Sequence, residues 1–144
     1  MEGGSMDLTK ISSSDRIVLV GFVLTFIGTL GPWWVVSYGI GGTSSANGWH
    51  VTYLGWLVVT LCLVAAALAL SKLLNLTLPL PAALPILACG ALSVLLVLIR
   101  LLTLRLPANA LGTFGHRGWG IWLTLVGSIV VAFGGFLKNG EPAR

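Results

Sequence analysis

At 144 residues the chain would make one ordinary soluble domain, but 56% of it is apolar and only 8% charged, with a mean hydropathy of +0.99; that balance excludes a water-soluble fold. The net charge of +4 comes from eight basic residues scattered along the chain. No cluster tracks a phosphate backbone, which excludes nucleic acid as a partner and fits anionic headgroups instead.

Four apolar runs reach the roughly 17–25 residues that a helix needs to cross a hydrocarbon core about 30 Å thick. A chain that spans a bilayer satisfies its backbone internally, and Leu-rich runs without in/out alternation are helices rather than barrel strands. Residues 1–15 are polar, with Met6 as a second candidate start, and read as a flexible cytoplasmic tail that ends where Ser14 or Asp15 caps the first helix. The first run starts only at Ile17, has no small-x-small exit site and is long enough to span, so no cleavable signal is expected. Its span is expected over about 17–36, with Gly21, Thr25 and Gly28 on one face, spaced to let a neighbouring backbone approach.

Pro32-Trp33-Trp34 follows Gly31 at headgroup level. Residues 37–48 form a Gly/Ser-rich polar loop ending in Asn47-Gly48, a tight-turn signal. A hairpin over Val35 to Thr52 is conceivable, but two strands alone are marginal. The second span covers about 52–70. The link 71–81 contains Pro79 and Pro81, which forbid a continuous helix, and reads as chain lying along the interface. Asn75-Leu76-Thr77 matches a glycosylation sequon but falls on the cytoplasmic side.

The third span runs over about 82–104, with Pro85 in its first turn. A loop 105–118 and a fourth span over about 119–137 follow, before a short cytoplasmic tail, 139–144. Gly120, Thr124 and Gly127 repeat the stripe of the first span, which reads as a pair of complementary packing faces. Cys62 and Cys89 lie inside apolar runs, with no Cys or His at metal spacing, and read as packing residues.

Lys10, Arg16, Lys72, Lys138 and Arg144 lie on one side of this topology, Arg105 and Arg117 on the other. Positive-inside bias therefore puts both termini in the cytoplasm. The expected fold is all-α: an up-down-up-down antiparallel four-helix bundle, integral to a bacterial inner membrane, occupying residues 16–138.

Every Trp then gathers at one surface: Trp33, Trp34, Trp49, Trp56, Trp119 and Trp122, with Tyr38 and Tyr53. Anchoring belts normally occupy both surfaces, so a one-sided set reads as an anchor or as a contact surface for a partner. Arg100 lies about one turn from the outer end of the third span, where it can snorkel, yet no carboxylate in the spans or outer loops can pair with it. His50 and His116 stand at the same surface. Two imidazoles suit a metal or a haem, but with no third ligand beside them no metal and no cofactor is expected.

No Ser/His/Asp set, HExxH or phosphate loop is present, and no ionisable group lies at mid-membrane, so an enzyme or a proton-coupled transporter is not expected. The leading expectation is a non-enzymatic accessory or scaffolding subunit. It would contact other membrane subunits, or further copies of itself, through Arg100, Arg105, Arg117, His50, His116 and the Trp set. The alternatives are binding of an anionic lipid or small ligand at that surface, an oligomeric pore, or a haem- or pigment-carrying subunit.

Asp15-Arg16 before the first span, Pro32-Trp33-Trp34 at its exit and Asn47-Gly48-Trp49-His50 before the second form a pattern that resembles small four-helix membrane proteins of uncharacterised function, common in actinobacteria and their relatives. The resemblance covers most of the chain. It implies an inner-membrane tetraspan and supplies no activity, cofactor or site roles. Claudin-type tetraspans also carry a Trp-rich first outer loop, but this loop lacks their Gly-Leu-Trp and paired-Cys signature, so their barrier function is not transferred.

Overall fold

A computed structural model describes residues 9, 11–39, 41–51, 53–71, 73–75, 77, 81–103 and 114–142. Helix α1 spans Ser13–Leu30. Ser12 caps it, its hydroxyl accepting the Asp15 amide at 3.2 Å, so helix begins ahead of the expected start and takes in the last residues of the expected tail. It stops at Leu30 because the residue before a proline is pushed out of the helical region, and Gly31 is extended (ψ 164).

The chain then leaves the expected course. Instead of continuing the span to Val36, Pro32–Tyr38 forms strand β1. It turns through Gly41, whose φ of +91° suits only glycine, into β2, Gly42–Asn47. A third strand, β3 (Phe114–Arg117), pairs with the other edge of β1, giving an antiparallel sheet of order β2-β1-β3. The all-α expectation is thereby corrected. A hairpin judged marginal alone gains its third strand from the far loop, which supplies what two strands lack.

After β2 come the one-turn helix α2 (Gly48–Val51), then α3 (Tyr53–Ala69), α4 (Ala83–Thr103) and, after β3, α5 (Trp119–Asn139). Among the described residues three helices, α1, α4 and α5, are long and apolar enough to cross a membrane, and α3 is apolar at 17 residues. Helix α1 packs on α5 and α3, and α4 packs on the same two, leaving only slight contact between α3 and α5. In the link after α3, Asn75 takes a left-handed φ of 54°, which asparagine tolerates.

Along α1 the buried side is smaller and more polar than the exposed one. Buried positions of α1 are Ser14, Asp15, Val18, Gly21, Thr25, Gly28 and Thr29, whereas its exposed ones include Val20, Val23, Phe26, Ile27 and Leu30. Water would select the opposite arrangement.

The α1–α5 seam explains the small residues. A Cβ on Gly28 would lie 2.5 Å from the Thr124 amide nitrogen, and one on Gly127 would lie 2.5 Å from that of Thr25. Gly21 similarly meets Gly127 and Val131, and Gly120 meets Gly28 and Gly31. Rising numbers on α1 meet falling numbers on α5, so the two helices are antiparallel, and backbone touches backbone along the seam.

Candidate functional site

The two ends of the helix assembly differ in kind. At the end carrying α1's start and α5's finish, Lys138 pairs with Asp15 and the Ser14 hydroxyl donates to Glu141 Oε1 at 2.7 Å. The carboxylate and ammonium are almost wholly enclosed, at 1% and 8% exposure. Asp15 also accepts the Ser12 hydroxyl at 2.9 Å. This clasp joins residues 123 positions apart, and nothing in the local sequence marks Asp15 as more than a cap.

Midway along the bundle, the Cys62 thiol of α3 reaches Ser93 Oγ of α4 at 3.6 Å and Thr25 Oγ1 of α1 at 3.9 Å. Ser128 of α5 is buried, its hydroxyl donating to the Thr124 carbonyl at 2.9 Å. Cys62, read from the sequence as mere packing, joins a layer of small polar side chains. Thr25 and Thr124 each donate back to the carbonyl four residues earlier, at 2.9 and 2.8 Å, so their own hydroxyl protons are satisfied.

The sheet end is assembled around Trp33. Pairing slips by one residue between Pro32 and Trp34, since Pro32 opposes Asn47 and Trp34 opposes Ala46. Trp33 is thus the extra residue of a bulge, which turns it to the same buried side as Val36. Its indole is fully enclosed and donates to the Gly28 carbonyl at 3.2 Å, one of α1's last four carbonyls. The ring lies on Gly48, where a Cβ would come within 2.6 Å of Cε2. The Pro-Trp-Trp and Asn-Gly-Trp-His motifs therefore meet in space.

The rest of the second motif has local work. Asn47 Oδ1 accepts the His50 amide at 3.2 Å and lies 2.7 Å from His50 Nδ1. Gly48 presses its carbonyl against Gly55 of α3, where a Cβ would come within 2.1 Å. Trp49 meets Trp56 edge-on at 4.1 Å between centroids and Phe26 at 6.3 Å. Trp34 is half-buried, while Trp56, Trp119 and Trp122 are about half exposed, at 55%, 56% and 49%. The Trp119 ring also lies across Gly31, whose Cβ would approach it to 2.5 Å.

The basic residues divide. Arg117 on β3 donates from Nε and Nη2 to the Leu101 carbonyl, at 3.3 and 3.0 Å, closing the end of α4. Arg100 is different. Buried positions on α4 fall at Ile86, Gly90, Ser93 and Val97, and Arg100 is the next step of that inward stripe. The side chain is half-buried and its Nε is enclosed without a hydrogen-bond partner among the described residues. Trp49 Nε1, at the same end, is likewise enclosed without a hydrogen-bond partner among the described residues.

His116, exposed on β3, and His50, after β2, stand on opposite flanks of β1, so they do not share a site. Among the described residues no group of three His, Cys, Asp or Glu is placed to hold a metal ion. Arg105 lies outside the described residues. No protein-family model matches the chain, and no curated protein matches it.

Proposed function

We propose that this protein is an integral membrane tetraspan of a bacterial plasma membrane, an up-down-up-down bundle with both termini cytoplasmic. In this reading it is a non-enzymatic accessory or scaffolding subunit, akin to the small actinobacterial-type tetraspans it resembles. Lipid-like side chains on the outside of α1 and small or polar ones inside support the membrane setting. Helix α3, at 17 residues, reaches the lower bound of a spanning helix, about 17.

The observation that carries the accessory role is the rim at the sheet end. Trp56, Trp119 and Trp122 stay about half exposed there, beside a Tyr53 that is 91% exposed. Aromatic residues gathered on one rim are the composition of a contact surface. Other membrane subunits or a second copy would seat on that rim.

A photoreactive residue at Trp122, compared with one at Phe136 near the clasp end, tests this in native membranes. Phe136 is 62% exposed against 49% for Trp122, and so at least as accessible. Protein adducts are expected at position 122 and not at 136. A lone monomer in mild detergent, together with equal or absent adducts at the two positions, would overturn the accessory role.

A further inference from the structure

We infer that Arg100 is the anchor of a binding site for the phosphate of an anionic lipid headgroup at the sheet end of the bundle. This rests on the membrane-spanning part of the reading above and not on the accessory role.

Three observations converge. First, the two buried side-chain polar atoms without partners among the described residues are Arg100 Nε and Trp49 Nε1, and both belong to the sheet end. Both are N–H donors, so what is missing is an acceptor. Secondly, among the described residues the charge at that end has one sign. Of the four acidic residues in the chain, Asp15 and Glu141 belong to the clasp at the opposite end, and Glu2 and Asp7 precede α1 in sequence. Arg117 lies beside the same turn of α4, its guanidinium already on the Leu101 carbonyl. Thirdly, Arg100 sits three residues before the end of α4 at Thr103, about 5 Å along the axis. With α4 across a bilayer, that depth is within a long side chain's reach of the headgroup phosphates.

A guanidinium with an enclosed Nε is costly without an acceptor. A phosphodiester oxygen accepts from Nε and the terminal nitrogens together and returns no donor. The one-sided positive charge favours a headgroup with no compensating cation, hence phosphatidylglycerol over phosphatidylcholine.

The test uses the full chain reconstituted with equal phosphatidylglycerol and phosphatidylcholine, with retained lipid counted by native mass spectrometry. Phosphatidylglycerol is expected to be enriched about tenfold, the scale of one or two basic residues beside a headgroup of net negative charge. Arg100→Gln abolishes the preference, and Arg100→Lys, which keeps the charge but not the Nε donor, retains part of it. A parallel titration follows the ¹⁵Nε resonance of Arg100 in the unmutated protein, so the inference stays testable if a variant misfolds.

A shift of that resonance with phosphatidylglycerol supports the lipid site, whereas an equal shift with inorganic phosphate assigns it to free phosphate. Unchanged lipid counts in Arg100→Gln with a silent resonance, or an Arg100-dependent protein adduct insensitive to lipid, overturn it. Resistance of the chain to alkaline extraction from membranes is scored separately, so failure of the spanning reading is distinguishable from failure of the site.

Discussion

The clasp end and the sheet end solve the same problem in opposite ways. Both bring charged side chains into half-dry surroundings at the mouth of a helix bundle. At the clasp, Asp15 finds Lys138 and Glu141 finds Ser14, so the demand for partners is met within the chain. At the sheet, Trp33 and Arg117 find helix-end carbonyls, but Arg100 Nε and Trp49 Nε1 find nothing among the described residues. Among the described residues one end is internally paired and the other keeps two enclosed donors without acceptors, and the contrast predicts opposite responses to mutation.

The largest effect is expected at the clasp. Asp15→Asn leaves the Lys138 ammonium enclosed at 8% exposure without its counter-charge, and removing one member of such a pair costs about 3–5 kcal/mol. Reversible unfolding in mixed micelles measures it. Adding Lys138→Met to the same chain should restore part of the loss, because the stranded charge is then gone as well. A loss below about 0.5 kcal/mol, the range of an ordinary surface change, would show that the clasp is solvated and that the two ends are alike.

Next is the seam that ties the ends together. Gly28→Ala places a methyl 2.5 Å from the Thr124 amide nitrogen and hydroxyl. Neither helix can yield locally, so α1 and α5 must part, at about 1–3 kcal/mol. Gly41 is the internal control for size, since nothing lies within 4 Å of a Cβ there, although its φ of +91° adds a local strain confined to the turn.

That seam was readable in the sequence, and the reason is physical. Small residues recurring at steps of four and three have one use on an apolar helix, which is close approach, and two such stripes invite each other. The lengths of α4 and α5 followed equally directly from hydropathy. The sheet did not. Strand β2 is Gly-Thr-Ser-Ser-Ala-Asn, with no apolar alternation, and β3 is four residues from a distant loop; its pairing with β1 is non-local and leaves no periodic trace. Trp33 shows the same limit. As residue types, a buried Trp and an anchoring Trp are indistinguishable, and only the one-residue slip at Pro32/Trp34 makes Trp33 core. Asp15 read as a cap because its partner is 123 positions away. The sequence shows Arg100 without an acid to pair with, but its place on the inward stripe of α4 is visible only from the buried positions before it.

A smaller effect, of opposite sign to that at the clasp, is expected at Arg100. In lipid-free micelles Arg100→Met keeps most of the aliphatic stem and removes the enclosed donor, so stability should be unchanged or raised by up to about 1 kcal/mol. With phosphatidylglycerol added, the unmutated protein should gain stability and the variant should not, because a ligand stabilises only the state that binds it. Equal destabilisation at Asp15 and Arg100, with or without lipid, would erase the difference between the ends.

The smallest effect separates the scaffold of the sheet end from its unfilled donors. Asn47 holds α2 through the His50 amide at 3.2 Å, the contact of a helix cap on a helix one turn long. Asn47→Ala should cost about 0.5–1 kcal/mol, the low end for a lost cap. The loss should be local: amide exchange rises at Trp49 and His50 and stays unchanged along the α1–α5 seam. Trp49 meets Trp56 through that same turn, so its indole fluorescence should shift as the turn loosens. If exchange instead rises through β1 and β3, then Asn47 braces the whole sheet, and the open donors at that end belong to a mobile cap rather than to a preformed site.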